Sequence, residues 1–289
     1  MKRKIYTFFQ YILPHHLLST IVYKLMRVKW KPLKNFIIKR ISTSYQVNMD
    51  EAQSSNLDDY PHFNAFFTRK LKEGVRPIDE NPKHIVSPVD GAISQCGEIK
   101  EGRIFQAKGF DFSVEELLAC DDKTKNHFHK GLFATIYLSP KDYHRMHTPI
   151  DCNVTKTVHI PGRLFSVAKW TAESIPRLFA RNERLVCYLD TEIGQIAYVL
   201  VGAIMVSSME TIMNGLVTPP YAKAVAEVPI IGKNTFKKGE ELGRFNMGST
   251  VILLFPPNSV ELIESLSENQ VVKLGEKIAT ITAEIGLME

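Results

Sequence analysis

A chain of 289 residues, 44% hydrophobic and 23% charged, is long enough to bury a full core as one elaborate domain or two, and too apolar for disorder to dominate. Cys96, Cys120, Cys152 and Cys187 stand far apart with no Cys-x-x-Cys pair, which argues against a zinc site or a disulfide framework and for a reducing compartment. The net charge of +5 conceals a division: residues 1–49 carry ten Lys or Arg and no Asp or Glu, so the rest of the chain carries −5.

Within that basic arm, residues 5–23 lack Lys, Arg, Asp and Glu and are rich in Phe, Tyr, Ile and Leu, but Gln10, Pro14, His15 and His16 interrupt them. Spanning a bilayer takes about 20 mostly apolar residues, so this is a poor transmembrane helix. It also lacks a small-residue cleavage site of signal-peptide type. The pattern fits a helical region lying in a membrane interface, with Lys2, Arg3, Lys4, Lys24, Arg27 and Lys29 toward anionic headgroups. A helical cap on the protein's own core is the second reading. A nucleic-acid arm is the third, disfavoured because the aromatics are not interleaved with Arg and Gly.

Residues 50–60 are polar and acidic, a loop, and residues 61–70 have the pattern of a short amphipathic helix ending before Gly74. Strand signals then dominate at 85–86, 92–94, 132–138, 154–160, 185–189, 196–205, 225–230 and 251–255, as short β-branched or aromatic runs bounded by Gly, Pro and Asp. Helices are predicted at 113–119 and 258–265. A weak internal echo, Gly239-Glu240 and Gly275-Glu276, each feeding a strand, adds to the expectation of an α+β chain with a β-rich, barrel- or sandwich-like antiparallel core.

Three segments carry chemistry. In Ser139-Pro140-Lys141-Asp142-Tyr143-His144-Arg145-Met146-His147-Thr148-Pro149, a capping Ser, a Pro at the first helical position and Asp142 predict a short helical turn ended by Pro149. His144 and His147 then share one face. Such a pair serves as proton carriers, as structural groups or as metal ligands, although no further ligand set is evident. Ser87-Pro88-Val89-Asp90-Gly91 offers a carboxylate in a rigid turn, able to orient an imidazole or to act only as a turn residue.

The third segment is Met247-Gly248-Ser249-Thr250, directly before the apolar run 251–255. It reads as a turn before a buried strand, or as a bond that cuts itself. In the second case the Ser249 hydroxyl attacks the carbonyl of Gly248, a residue that tolerates strain, and the amide becomes an ester. Removal of the Ser249 α-proton eliminates that ester, and hydrolysis of the resulting dehydroalanine leaves a pyruvoyl group.

In this order and spacing, the three segments resemble phosphatidylserine decarboxylase of the bacterial, type I, proenzyme kind. The resemblance runs from about residue 61 to 256 and takes in His159-Ile160-Pro161-Gly162-Arg163-Leu164-Phe165-Ser166-Val167 and Phe179-Ala180-Arg181-Asn182-Glu183-Arg184. Met247 stands where the family has Leu, a substitution that preserves bulk and polarity. The resemblance implies a cut between Gly248 and Ser249, a larger chain 1–248 and a smaller chain 249–289 that stay together, and a pyruvoyl cofactor derived from Ser249. It also implies a self-cleavage triad of Asp90, His147 and Ser249, with His144 as proton donor in decarboxylation. The ketone would form a Schiff base with the amine of phosphatidylserine and give phosphatidylethanolamine and CO2.

The organisation expected is a membrane-associating helical region at 1–70 and a catalytic domain at 71–289. The enzyme would be peripheral on the cytoplasmic face of a bacterial inner membrane, bound to an anionic surface, a heterodimer of its own two chains and open to further dimerisation, with no metal and no nucleic acid. Three alternatives remain: a pyruvoyl decarboxylase of a soluble amino acid, a serine hydrolase that is never cut, and a non-catalytic membrane-binding β module. The hydrolase is disfavoured because Ser249 is not in a Gly-x-Ser-x-Gly elbow.

Overall fold

The computed structural model describes residues 2–204, 208–221, 223–246 and 249–282. The basic arm folds as three helices, α1 (Lys2–Ile12), α2 (His15–Leu25) and α3 (Lys31–Tyr45). Pro14 stands at the N-cap of α2 and Pro32 lies in the first turn of α3, the places where a missing N–H costs least. None of the described helices is long and apolar enough to cross a membrane. A fourth short helix, α4 (Phe63–Phe67), closes this region, and Phe63, Phe66 and Phe67 pack with Ile38, Val47 and Tyr60 into a small second core.

The arm is docked on the rest of the chain, as the cap reading expects, and also exposes apolar surface. The Arg163 guanidinium donates to Tyr11 O at 2.6 Å, Gln10 Oε1 accepts from Ser166 N at 2.9 Å, and the Tyr11 ring packs edge-on against Phe165. Buried Glu183 accepts from His16 Nε2 at 3.0 Å and from His159 Nε2 at 2.7 Å. The segments around Gly162 and Asn182 thus form the seat on which α1 and α2 lie.

The main core is built on antiparallel strands. The largest sheet runs, neighbour to neighbour, Ala226–Glu227, Cys152–Ile160, Arg184–Thr191, Gly194–Val201, Ser249–Phe255, Leu132–Leu138, Gly91–Glu98 and Val271–Val272, with Thr235–Phe236 also on Cys152–Ile160. A four-stranded sheet orders Gly215–Thr218, Met209–Thr211, Glu241–Phe245 and Arg145–His147. A third joins His84–Val86, Lys277–Ile281 and Val260–Leu262, and Arg103–Ala107 pairs with Phe110–Ser113. The α+β class and the antiparallel core are as predicted, and among the described residues no sheet closes into a barrel. Every residue of Ser249–Phe255 is buried, which explains why its sequence is continuously apolar after Thr250 instead of alternating.

The predicted helix at 113–119 forms as Val114–Leu118, with Ser113 and Glu116 making the reciprocal capping box. The helix predicted at 258–265 does not: Val260–Leu262 is a strand, because its β-branched start pairs with Lys277–Ile281. At 225–230 only Ala226–Glu227 is strand, and the strand predicted at 196–205 ends at Val201. The short helical turn at 139–149 is also corrected. Ser139 and Asp142 close a turn, with Asp142 Oδ2 accepting from Ser139 N at 2.7 Å, but Arg145–His147 is extended and paired.

The two echoed Gly-Glu turns meet in space. Gly239 and Gly275 have φ of +80° and +87°, and both back onto Ile78. A Cβ on Gly275 would lie 2.4 Å from Pro77 O, so that turn requires glycine on two counts.

Candidate active site

Two segments of the chain pair with each other twice. In the large sheet Leu132–Leu138 lies against Ser249–Phe255, with Leu138 opposite Ser249. In the four-stranded sheet Arg145–His147 lies against Glu241–Phe245, and Phe245 N donates to His144 O at 3.1 Å. On one side residues 139–144 carry the chain from the first sheet to the second; on the other, Glu241–Phe245 is followed by Asn246, and Ser249 opens the next strand. Gly248, half of the bond read as the cleavage site, lies outside the described residues with Met247. Ser249 opens its strand fully buried, and its Oγ finds no hydrogen-bond partner.

His144 is wholly buried, its ring stacked on Phe67 at 4.1 Å between centroids. Its Nε2–H donates to Ser139 O at 3.1 Å, since a carbonyl can only accept, which fixes the tautomer and leaves a lone pair on the unpartnered Nδ1. Burial, helped by the charge of Arg69, pulls its pKa down to about 3. His144 therefore stands neutral at physiological pH.

His147 is buried beside the Tyr143 ring, 5.6 Å between centroids, and its Nδ1 also has no partner. Burial pulls its pKa down to about 4; the negative charges of Glu241 and Asp90 oppose this and Arg145 adds to it. Arg145 is itself held by Glu241 through two contacts of 3.0 and 2.8 Å. Because Arg145–His147 is extended and not helical, the three-residue spacing of His144 and His147 does not put them on one helical face.

Asp90 sits in the turn predicted for it. His147 N donates to Pro88 O at 2.9 Å, so backbone stitches that turn to the strand of His147. The carboxylate is clamped by Arg76, at 3.0 Å from Nε and 2.6 Å from Nη2, and accepts from Leu274 N at 2.9 Å. No hydrogen bond joins Asp90 to His147 among the described residues; Asp90 reaches the imidazole through its field. Arg76 also holds Glu51 at 2.6 Å.

Arg76, Phe67 and a clamp on Asn246 escape the sequence reading. Asn246 Oδ1 accepts from Asn64 Nδ2 at 2.7 Å, its amide donates to Ser208 Oγ, and its N–H reaches Ser208 O at 2.9 Å. The aromatic spacing of 63–67 signals α4 but not that one ring serves His144. Arg76 lies in a polar stretch without any periodic signal.

A buried polar atom without a partner costs about 1–3 kcal/mol, so such atoms call for a reason. Among the described residues ten have one, and six of these belong to this corner: Asn64, Arg69, His144, His147, Ser249 and Thr250. A small carbonyl group made from Ser249 fits this position, where the side chain is fully buried and its Oγ has no partner. No cluster of His, Cys, Asp and Glu among the described residues could hold a metal ion.

The family described as phosphatidylserine decarboxylase matches residues 63–280, and a second, described as PSD, matches residues 5–46. A phosphatidylserine decarboxylase proenzyme of Ectopseudomonas mendocina is 50% identical over 279 residues, covering 96% of this chain and 98% of its own. One from Pseudomonas putida is 51% identical over 289 residues with the same coverage. One from Pseudomonas fluorescens is 50% identical over 293 residues, covering 98% of this chain and all of its own. These relatives are all proenzymes by name. The chain belongs to the phosphatidylserine decarboxylase family.

Proposed function

We propose that this chain is a proenzyme that cuts itself between Gly248 and Ser249, and that the mature form decarboxylates phosphatidylserine to phosphatidylethanolamine in phospholipid biosynthesis. The observation that carries the reading is the buried, partnerless Ser249 Oγ at the mouth of a central strand, with two neutral imidazoles in the same corner.

His147 is the base of self-cleavage. It takes the Oγ proton as Oγ adds to the Gly248 carbonyl and returns it to the departing nitrogen, and it later removes the Ser249 α-proton so that the Gly248 carboxylate leaves. Asp90, its own charge fixed by Arg76, stabilises the imidazolium. The pyruvoyl ketone then supplies an electron sink for the pair left behind when CO2 departs. His144 moves one proton: its Nδ1 lone pair takes it from the substrate ammonium as the amine is engaged, and gives it to the α-carbon after CO2 is lost.

The two chains stay assembled after the cut. The smaller one contributes Ser249–Phe255, paired over seven residues to Leu132–Leu138 and over five to Gly194–Val201, and its Leu274 N–H supports Asp90. The exposed apolar side chains of α1 and α2 support a peripheral position on an anionic membrane surface, at the cytoplasmic face, where a lipid substrate is found.

Intact mass after expression is the test. Two chains are expected, divided at 248/249, with the smaller carrying a ketone in place of its α-amine and releasing CO2 from phosphatidylserine vesicles. A single chain that stays at full mass on prolonged incubation would refute the reading.

A further inference from the structure

A cavity of about 240 Å3 opens beside Asp90, lined by four cationic and three anionic side chains. Most of these charges already have partners. Arg76 is occupied by Asp90 and Glu51. Asp142 accepts from Ser139 N, and burial pushes its carboxyl upward toward the neutral form. Lys141 and Lys273 add positive charge at the cavity wall.

Arg69 is what remains. It is 4% exposed, one Nη2–H donates to Lys141 O at 3.1 Å, and Nε and Nη1 find no partner among the described residues. A guanidinium does not give up its charge, and burying one without a full set of acceptors is costly. Its field reaches His144, the ring of Phe67 two residues earlier lies on that imidazole, and Lys141, which it grips, is three residues before it. An anion held here lies within the same corner as the reacting groups.

We propose that Arg69 is the seat of the phosphodiester of the substrate headgroup. The inference rests on the lipid-decarboxylase reading above. The substrate brings two anionic groups, and the chemistry separates them. A carboxylate that leaves as neutral CO2 loses its charge on the way to the transition state, so a cation fixed on it would stabilise the ground state and slow the step. The phosphodiester keeps its charge throughout, and holding it positions the amine without opposing the reaction. Arg suits that task because its planar fork offers two parallel N–H groups to one phosphate.

The test compares mature wild type with Arg69→Gln and Arg69→Lys. Binding of glycerophosphoethanolamine and of ethanolamine is read by calorimetry, and turnover is read on short-chain phosphatidylserine. Wild type should prefer glycerophosphoethanolamine, and Arg69→Gln should lose roughly 10- to 100-fold of that preference, the weight of a charge-assisted contact. KM should rise by a similar factor, kcat should change less than about threefold, self-cleavage should persist, and Arg69→Lys should fall between. Unchanged binding and KM, or a fall in kcat at constant KM, would overturn the proposal, the latter making Arg69 a support for the His144 loop. Inorganic phosphate competing as strongly as glycerophosphoethanolamine would also overturn it, in favour of a free-phosphate site. If wild type bound the probe in an Arg69-dependent way but released no CO2 from the lipid, the functional reading would fail while the anion seat stood. Should Arg69→Gln not fold, Arg69→Lys carries the comparison alone.

Discussion

The Phe67 ring lies nearly parallel to the His144 imidazole, 21° between planes and 4.1 Å between centroids, and so holds the ring while Ser139 O fixes its tautomer. A flat face is what Leu cannot supply. Phe67→Leu keeps the position apolar at a stability cost of about 1 kcal/mol, yet turnover should fall several-fold while self-cleavage keeps its rate. Both are read on one preparation, by CO2 release and by a denaturing gel. Equal slowing of the two would show that Phe67 supports the whole corner and not His144 in particular.

The division of labour between the histidines predicts two different failures. His147→Ala should leave a full-length chain, since His147 is the base proposed for cleavage. His144→Ala should mature and then turn over at least about 100-fold more slowly, the upper part of what general acid catalysis contributes being lost. Two matured and equally active variants would contradict this assignment.

The pH profile of self-cleavage follows from the buried state of His147. Its pKa is pulled down to about 4 by burial, so the neutral base persists to far lower pH than an ordinary imidazole with a pKa of about 6.5. Between pH 7.5 and 5.5 the cleavage rate should change less than about twofold, where an ordinary histidine would lose about tenfold. The same shift sets the stability: between about pH 6.5 and 4 the unfolded chain takes up protons at positions 144 and 147 that the folded chain refuses, so stability falls as pH falls through that window. A tenfold loss of rate by pH 5.5 would place the base elsewhere.

How much of this was legible in the sequence depends on distance along the chain. Ser113 and Glu116 specify their helix cap within four residues, and the reading of 113–119 holds. Ser139 and Asp142 have the same local pattern, but the partner that decides the outcome, Glu241–Phe245, lies about a hundred residues away, and strand pairing overrides the cap. Asp90, His144, His147 and Ser249 could be proposed as a set because each sits in a distinctive short motif. Arg76 could not, because an arginine in a polar stretch looks like any solvated charge, and only the folded chain brings it between Asp90 and Glu51.

That arginine predicts a coupled effect. Its side chain is almost fully buried with Asp90, and removing one partner of such a pair leaves an uncompensated charge, at about 3–5 kcal/mol. Arg76→Met should lower the unfolding free energy by about 3 kcal/mol, because Glu51 keeps some exposure, and should slow self-cleavage. Adding Asp90→Asn should recover part of the stability but none of the cleavage. Full recovery of both by the double variant would remove Asp90 from the cleavage machinery.

The last prediction concerns the arm. Ile5, Tyr6, Phe8, Phe9 and Ile12 of α1, Leu17, Ile21 and Leu25 of α2, and Phe36 of α3 are exposed apolar side chains, more than isolated surface hydrophobics account for. Deleting residues 1–40 is a poor test of their role, because it also removes the His16 contact to Glu183 and Ile38 from the second core. Phe8 and Phe36 are better targets: they are 61% and 66% exposed, so changing them leaves the packing intact. Each phenylalanine buried in an interface contributes about 1.5–3 kcal/mol, so Phe8→Glu with Phe36→Glu should weaken binding to vesicles containing anionic lipid by at least about tenfold. Thermal stability and turnover of a water-soluble, short-chain substrate should not change. Raising salt should weaken wild-type binding further, by screening the arm's Lys and Arg from the headgroups. Vesicle binding that survives both substitutions and high salt would show that α1 to α3 are a cap on the core and that another surface meets the membrane.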